Sequence, residues 1–124
     1  MATDIEYLDS RPTIEVADLA AALAFLTDVA GLDIETVMGE PPMFALVSAG
    51  SARVGVVEVE SPSLPEGVPC YFTLQGLDTL LERLDAAGVT PTEGPVVRPW
   101  GIRDVVLQCP GGGPLLAFGE PVDP

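Results

Sequence analysis

The segments "TIEVADLAAALAFLTDVAGL" (13–32) and "YFTLQGLDTLLERLDAAGV" (71–89) are two versions of one pattern, and their likeness decides the fold. With Val16 placed on Leu74, Leu19 falls on Leu77, Leu23 on Leu81 and Leu26 on Leu84. One deletion then brings Gly31 onto Gly88. Self-similarity at a fixed offset marks a duplicated supersecondary unit. Each copy opens on a half-buried strand. Ile14 and Val16 share one face of the first, and Tyr71 to Gln75 is the matching run. Asp18 is a favourable N-cap. Leu19, Leu23 and Leu26, with Ala22 and Ala30, form an apolar stripe at helical spacing, as do Leu77, Leu80, Leu81, Leu84 and Ala87. Gly31 and Gly88 supply the left-handed residue that ends each helix.

Three short β-like runs follow each helix. They cover 32–38, 43–48 and 53–60 in the first copy, and 90–97, 103–108 and 114–119 in the second. The breaks "GEPP", "AGS", "RPWG" and "CPGGG" carry the expected proline and glycine. The last of them resembles a phosphate cradle, but a β-like run and no helix follows it, so it reads as a hairpin turn. The predicted fold class is α+β, with two βαβββ repeats (about 11–60 and 70–120) joined by a linker over 61–69. Together they form a concave, cup-shaped mixed sheet with one helix packed behind each half. A chain of 124 residues fits one such domain.

Composition narrows the function. Nineteen acidic residues face five arginines, with no lysine and no histidine, for a formal net charge of −14. Phosphate neutralisation needs a basic surface, so nucleic acid is excluded as a partner. The same field attracts a cationic small molecule, although it also serves plain solubility. Without histidine there is no Ser-His-Asp triad, no Cys-His pair and no imidazole metal ligand. No apolar run is long enough to span a membrane. The opening "MATDIEYLDS" lacks the features of a signal peptide, so a cytoplasmic protein is expected. Cys70 and Cys109 are too few for a disulfide framework. Nothing near Cys109 lowers its pKa, which argues against a nucleophile there.

Three segments together are similar to the vicinal oxygen chelate superfamily, which includes glyoxalase I, ring-cleaving dioxygenases and bleomycin-resistance proteins. "VADLAAALAFLTDVAGL" and "LQGLDTLLERLDAAGV" resemble its two helices. "GPVVRPWGIRDVVLQCPGGGPLLAF" resembles its C-terminal signature, with three glycines where relatives have Asp-Pro-x-Gly-Asn. The resemblance covers residues 11–120 and implies the fold more firmly than an activity, because the fold hosts several chemistries. Metal-dependent members hold a divalent ion with four side chains, mostly His and Glu. By local pattern the first ligand position is Arg11, the third Pro69 and the fourth Ala117. The second lies on the 53–60 strand, where Glu58 or Glu60 is the candidate and the register of "VGVVEVE" is open. One carboxylate does not hold a catalytic ion against water. We therefore expect a metal-free member with no cofactor, nearest in pattern to the bleomycin-resistance group.

Alternation places Arg11, Thr13 and Glu15 toward the cup, together with Pro69, Tyr71, Thr73 and Gln75. Asp104, Val106 and Gln108, then Leu115 and Ala117, line the second half. The candidate ligand-binding residues are Glu15, Phe44, Glu58, Tyr71, Thr73, Trp100, Asp104 and Leu115, with Trp100 and Phe44 at the rim. An apolar wall with a few polar groups is the usual composition of a ligand site, and carboxylates beside an aromatic make a cation trap. Each has a structural alternative: Trp100 as a packing anchor, Phe44 as core, and Glu15 as an ion-pair partner of Arg11. The expected function is binding of a small cationic or aromatic molecule, as in antibiotic sequestration, by a homodimer. The alternatives are an enzyme using an atypical metal or Glu15, Glu58 or Asp104 as acid or base, and a non-catalytic interaction module.

Overall fold

The computed structural model describes residues 4–122. The first repeat contains strand β1 (Thr13–Val16), helix α1 (Leu19–Ala24), and strands β2 (Asp33–Met38), β3 (Phe44–Ala49) and β4 (Ala52–Glu58). The second contains β5 (Cys70–Thr73), α2 (Leu77–Ala86), β6 (Glu93–Arg98), β7 (Ile102–Gln108) and β8 (Leu115–Pro121). Each repeat closes its own four-stranded sheet, in the order β1-β4-β3-β2 and β5-β8-β7-β6. The first strand lies parallel to the last, and the other pairings are antiparallel. A parallel pair needs a crossover, and the helix of each repeat supplies it. Among the described residues β1 and β5 are edge strands.

Asp18 caps α1 as expected, its carboxylate accepting from the Ala21 amide at 3.1 Å. Past Ala24 the helix continues as a π-helical turn over Phe25–Val29. Its marker is the amide of Ala30 donating to the Phe25 carbonyl at 3.0 Å. The first copy has one residue more than the second between Leu26 and Gly31. A π-turn is how a helix absorbs one inserted residue without turning its buried face away. Gly31 and Gly88 then end the helices at φ 81° and 73°. Ala87 is a correction: it is exposed, because the α2 stripe ends at Leu84 and Ala87 is the C-cap.

One face of each sheet packs under the helices. Ile14, Val16, Val47, Val54 and Val56 join Cys70, Phe72, Val105, Leu107, Leu116 and Phe118 in one buried cluster with Leu19, Leu26, Leu77 and Leu84. Phe72 stacks on Phe118 with centroids 4.8 Å apart, and Phe25 of the first repeat meets Phe118 edge-on at 6.5 Å. The repeats therefore share a core through their helix sides, which leaves the opposite sheet faces available for a site.

The "CPGGG" stretch is the β7–β8 turn and also a clasp. The Gly111 carbonyl accepts from the amides of Ala17 (2.8 Å) and Asp18 (3.0 Å), at the entry to α1. A Cβ on Gly111 would lie 2.5 Å from the Asp18 carbonyl oxygen, so only glycine allows this approach.

Candidate functional site

The face of the second sheet away from the helices carries Tyr71, Asp104, Val106, Leu115 and Ala117, as strand alternation requires. Tyr71 on β5 reaches across β8 to β7. Its hydroxyl donates to Asp104 Oδ2 at 2.9 Å. Its path passes over Gly119, where a Cβ would collide with the hydroxyl and lie 3.0 Å from Cζ. Asp104 is the one buried charged residue among those described, at 3% exposure. Arg98 Nε donates to its other oxygen at 3.0 Å, and Arg98 Nη2 donates to Glu93 at 2.6 Å. A buried carboxylate with both oxygens engaged satisfies the rule for buried charge. Desolvation of the Tyr71 hydroxyl pushes its pKa up to about 12, and the hydrogen bond to Asp104 and the charge of Asp104 add to this.

Arg98 and Glu93 were not among the sequence candidates. The irregularity between Glu93 and Val96 hides the alternation of β6. The available signal was that Arg98 is one of only five cations in an acidic chain.

In the first sheet the ring of Phe44 leans over Gly55. A Cβ there would meet its Cε1 and Cζ at 3.3 Å and Thr13 Oγ1 at 3.0 Å. Phe44 is half-buried on this sheet, while Trp100 stands 72% exposed on the β6–β7 turn of the other. The two occupy different sheets. Glu15 takes the Ser63 amide at 2.7 Å, which ties the linker to β1. Arg11 pairs with Asp9 instead of Glu15. Asp9 also pairs with Arg53, whose Nε reaches Glu35 at 3.1 Å. Hydrogen bonding to arginine holds the Asp9 and Glu35 carboxyls below their usual range and lifts Arg53.

Glu58 is a second correction. It lies on the helix side, where Oε2 accepts from the Leu19 amide at 2.8 Å. Glu60 is exposed beyond the end of β4. Gln75 lies past β5 at the turn into α2, outside the cup. Thr73 is exposed and Leu115 half-buried. A cleft of about 490 Å³ runs along β5, from Pro69 to Thr73, against Ser10, Pro12 and the Ser51–Arg53 segment.

The duplication fixes the β4 register that the sequence left open. Thr13 pairs with Gly55 as Tyr71 pairs with Ala117. The second ligand position is therefore Gly55, not Glu58 or Glu60. The four positions carry Arg11, Gly55, Pro69 and Ala117: a permanent cation, no side chain, no donor atom and a methyl group. Phe44 covers Gly55, and Ala117 is 1% exposed beside Tyr71. Among the described residues no three His, Cys, Asp or Glu side chains come together as a metal would need. These residues do not fit a divalent ion.

Both cysteines are free and buried. Burial pushes Cys70 up to about 11 and Cys109 up to about 12, the latter helped by Cys70. Neither thiol is poised as a nucleophile. No helix among the described residues is long and apolar enough to cross a membrane.

A family model for the glyoxalase/bleomycin resistance protein/dioxygenase superfamily matches residues 10–115. The chain belongs to that superfamily. A glyoxalase/bleomycin resistance protein/dioxygenase from Nocardioides is 20% identical with a TM-score of 0.66, covering 98% of this chain and 87% of its own. A glyoxalase-related enzyme from Clostridium phytofermentans reaches a TM-score of 0.76 at 14% identity, covering 98% and 100%. Lactoylglutathione lyase from Agrobacterium tumefaciens scores 0.69 at 20% identity, covering 93% and 94%. At these identities the superfamily likeness fixes the fold and not the chemistry. No curated protein sequence gives a significant match.

Proposed function

We infer that this chain is a metal-free member of the superfamily that binds a small cationic or aromatic molecule in its cup and sequesters it without turnover. One observation carries this: the cup keeps a buried carboxylate, Asp104, while the metal-ligand positions hold Arg11, Gly55, Pro69 and Ala117. Arg98 is shared between Asp104 and Glu93, so the cluster retains a negative charge for a cation to meet. The net charge of −14 draws cations toward it and disfavours nucleic acid as a partner. General-base catalysis by Asp104 is the weaker reading, because both of its oxygens already accept hydrogen bonds. The edge strands β1 and β5 support a homodimer, each offering an open edge from which a second copy can complete the cup.

The test is a panel of cationic aromatic compounds, read by Trp100 fluorescence and thermal shift. Saturable binding that weakens with salt is expected, with no product formed. Absence of binding across the panel, or stoichiometric Ni, Zn, Fe or Mn in protein purified without chelators, overturns it. Light scattering decides the dimer, and a monomer refutes that part.

A further inference from the structure

Tyr71 is an unusual covering for a buried charge. Its side chain is 45% exposed, yet its hydroxyl reaches a carboxylate that is only 3% exposed. The strand beneath it is stripped down to make room, with Ala117 opposite Tyr71 and Gly119 under the hydroxyl. Asp104 Oδ1 is held independently by Arg98, whereas Tyr71 is the partner of Oδ2. Swinging Tyr71 outward exposes Oδ2 above Ala117 and Gly119, beside the Ile102 side chain, and leaves the Arg98 pair in place. A phenol is also a flat ring with a donor at its tip. A ligand of the same outline would take the place of the Tyr71 ring.

We propose that Tyr71 is a displaceable lid on a cation-recognition site at Asp104, whose ligand is an aryl cation with an amidinium or protonated amine in place of the phenol hydroxyl. Displacement is favourable for a cation because the neutral phenol offers Asp104 only a hydrogen bond, whereas a cation adds the Coulombic attraction of a full positive charge. A neutral phenol or aryl alcohol gains nothing over Tyr71 and is excluded by it. The lid thereby selects for charge, and Glu93 offsets the like charge of Arg98 nearby. The inference rests on the cup being a binding site.

The probe is p-aminobenzamidine, titrated into wild type, Tyr71→Phe, Tyr71→Ala and Asp104→Asn. The second readout is the ¹³Cζ resonance of labelled tyrosine, with Tyr7, the only other tyrosine, as internal reference. Removing the competing hydroxyl in Tyr71→Phe is expected to tighten binding at least about tenfold, the low end of the net worth of a hydrogen bond to a charged group. Asp104→Asn weakens it at least about tenfold, through loss of the charged acceptor. In wild type the Tyr71 resonance moves with saturation toward its position in Asp104→Asn. Tyr71→Phe leaves the Arg98 pair intact and carries the test should Asp104→Asn not fold. Saturable binding with an unmoved Tyr71 resonance and unchanged affinity in Tyr71→Phe overturns the lid and leaves the binding function standing. Binding to the Tyr71 variants but not to wild type supports a lid that stays shut. No binding to wild type or to either Tyr71 variant overturns the site itself; a response elsewhere in the compound panel then preserves the binding function alone.

Discussion

Glu58 and Glu120 occupy the same place in the two repeats: each sits at the end of the strand that runs parallel to the first, and each caps its own repeat's helix. Glu58 accepts from the Leu19 amide at 2.8 Å. Glu120 accepts from Gly76 at 2.5 Å and Leu77 at 3.1 Å. A carboxylate at a helix N-terminus satisfies amides that have no partner inside the helix and lies favourably in its dipole. The first helix has Asp18 as a second cap. The second has Gly76 at that position, with no side chain to offer. We therefore predict unequal costs, about 1 kcal/mol for Glu58→Ala and about 2 kcal/mol for Glu120→Ala. Urea denaturation measures both. Neither substitution should change ligand affinity, because both carboxylates lie on the helix side of their sheets.

This pair also shows what the sequence could and could not disclose. The leucine spacing of the two helices and the closing glycines made the duplication readable, and alternation correctly sorted Ile14 and Val16 from Glu15, and Phe72 from Tyr71. It failed on β4, because "VGVVEVE" is apolar on both faces where Val57 and Val56 lie on opposite sides. Only pairing with β1 puts Gly55 on the cup side and Glu58 behind it. Arg98 was hidden by the irregular pairing of β6. The clasp of Gly111 on Asp18 joins residues far apart in the chain, and no local pattern announces it.

That clasp gives the second prediction. Gly111 and Gly50 both have positive φ, 89° and 57°. A Cβ at Gly50 meets nothing within 4 Å, whereas at Gly111 it meets the Asp18 carbonyl. Gly50→Ala should cost only the left-handed backbone penalty, about 1 kcal/mol. Gly111→Ala adds a clash with immobile backbone and should cost at least about 2 kcal/mol more. Comparable losses in the two variants would mean that the loop does not hold α1.

Gly119 and Tyr71 should be coupled. The added methyl of Gly119→Ala meets the tips of two movable side chains, Tyr71 and Ile102, so the ring swings away, Ile102 shifts its terminal methyl and the molecule stays folded. Tyr71→Phe alone should cost about 1.5 kcal/mol, the low end for a hydrogen bond to a charged group, because the ring is half exposed. In the Gly119→Ala background the bond is already gone, so the same substitution should cost close to nothing. A double-mutant cycle reads the difference directly. Additive costs would show that the hydroxyl contributes nothing through Asp104.

Stability should fall on the alkaline side, for a reason specific to this composition. The chain has no lysine, so above pH 8 its titrating side chains are two cysteines and two tyrosines until arginine is reached. Burial raises Cys70 from 9.0 to about 11 and Cys109 from 9.0 to about 12, and Tyr71 rises from 10.0 to about 12. The folded state binds these protons more tightly than the unfolded chain does. Their contribution is therefore complete below pH 9 and is lost as pH climbs toward 11 and 12. Urea midpoints should be level up to about pH 8.5 and decline steadily beyond it. Replacing Cys109 by Ala lowers stability at neutral pH through a cavity but should flatten the decline. At pH 8 an aromatic disulfide reagent should leave both thiols unmodified until the protein unfolds, since neither is exposed nor ionised. Rapid labelling of the native protein, or midpoints that hold level to pH 10.5, would show that these protons are not held by the fold.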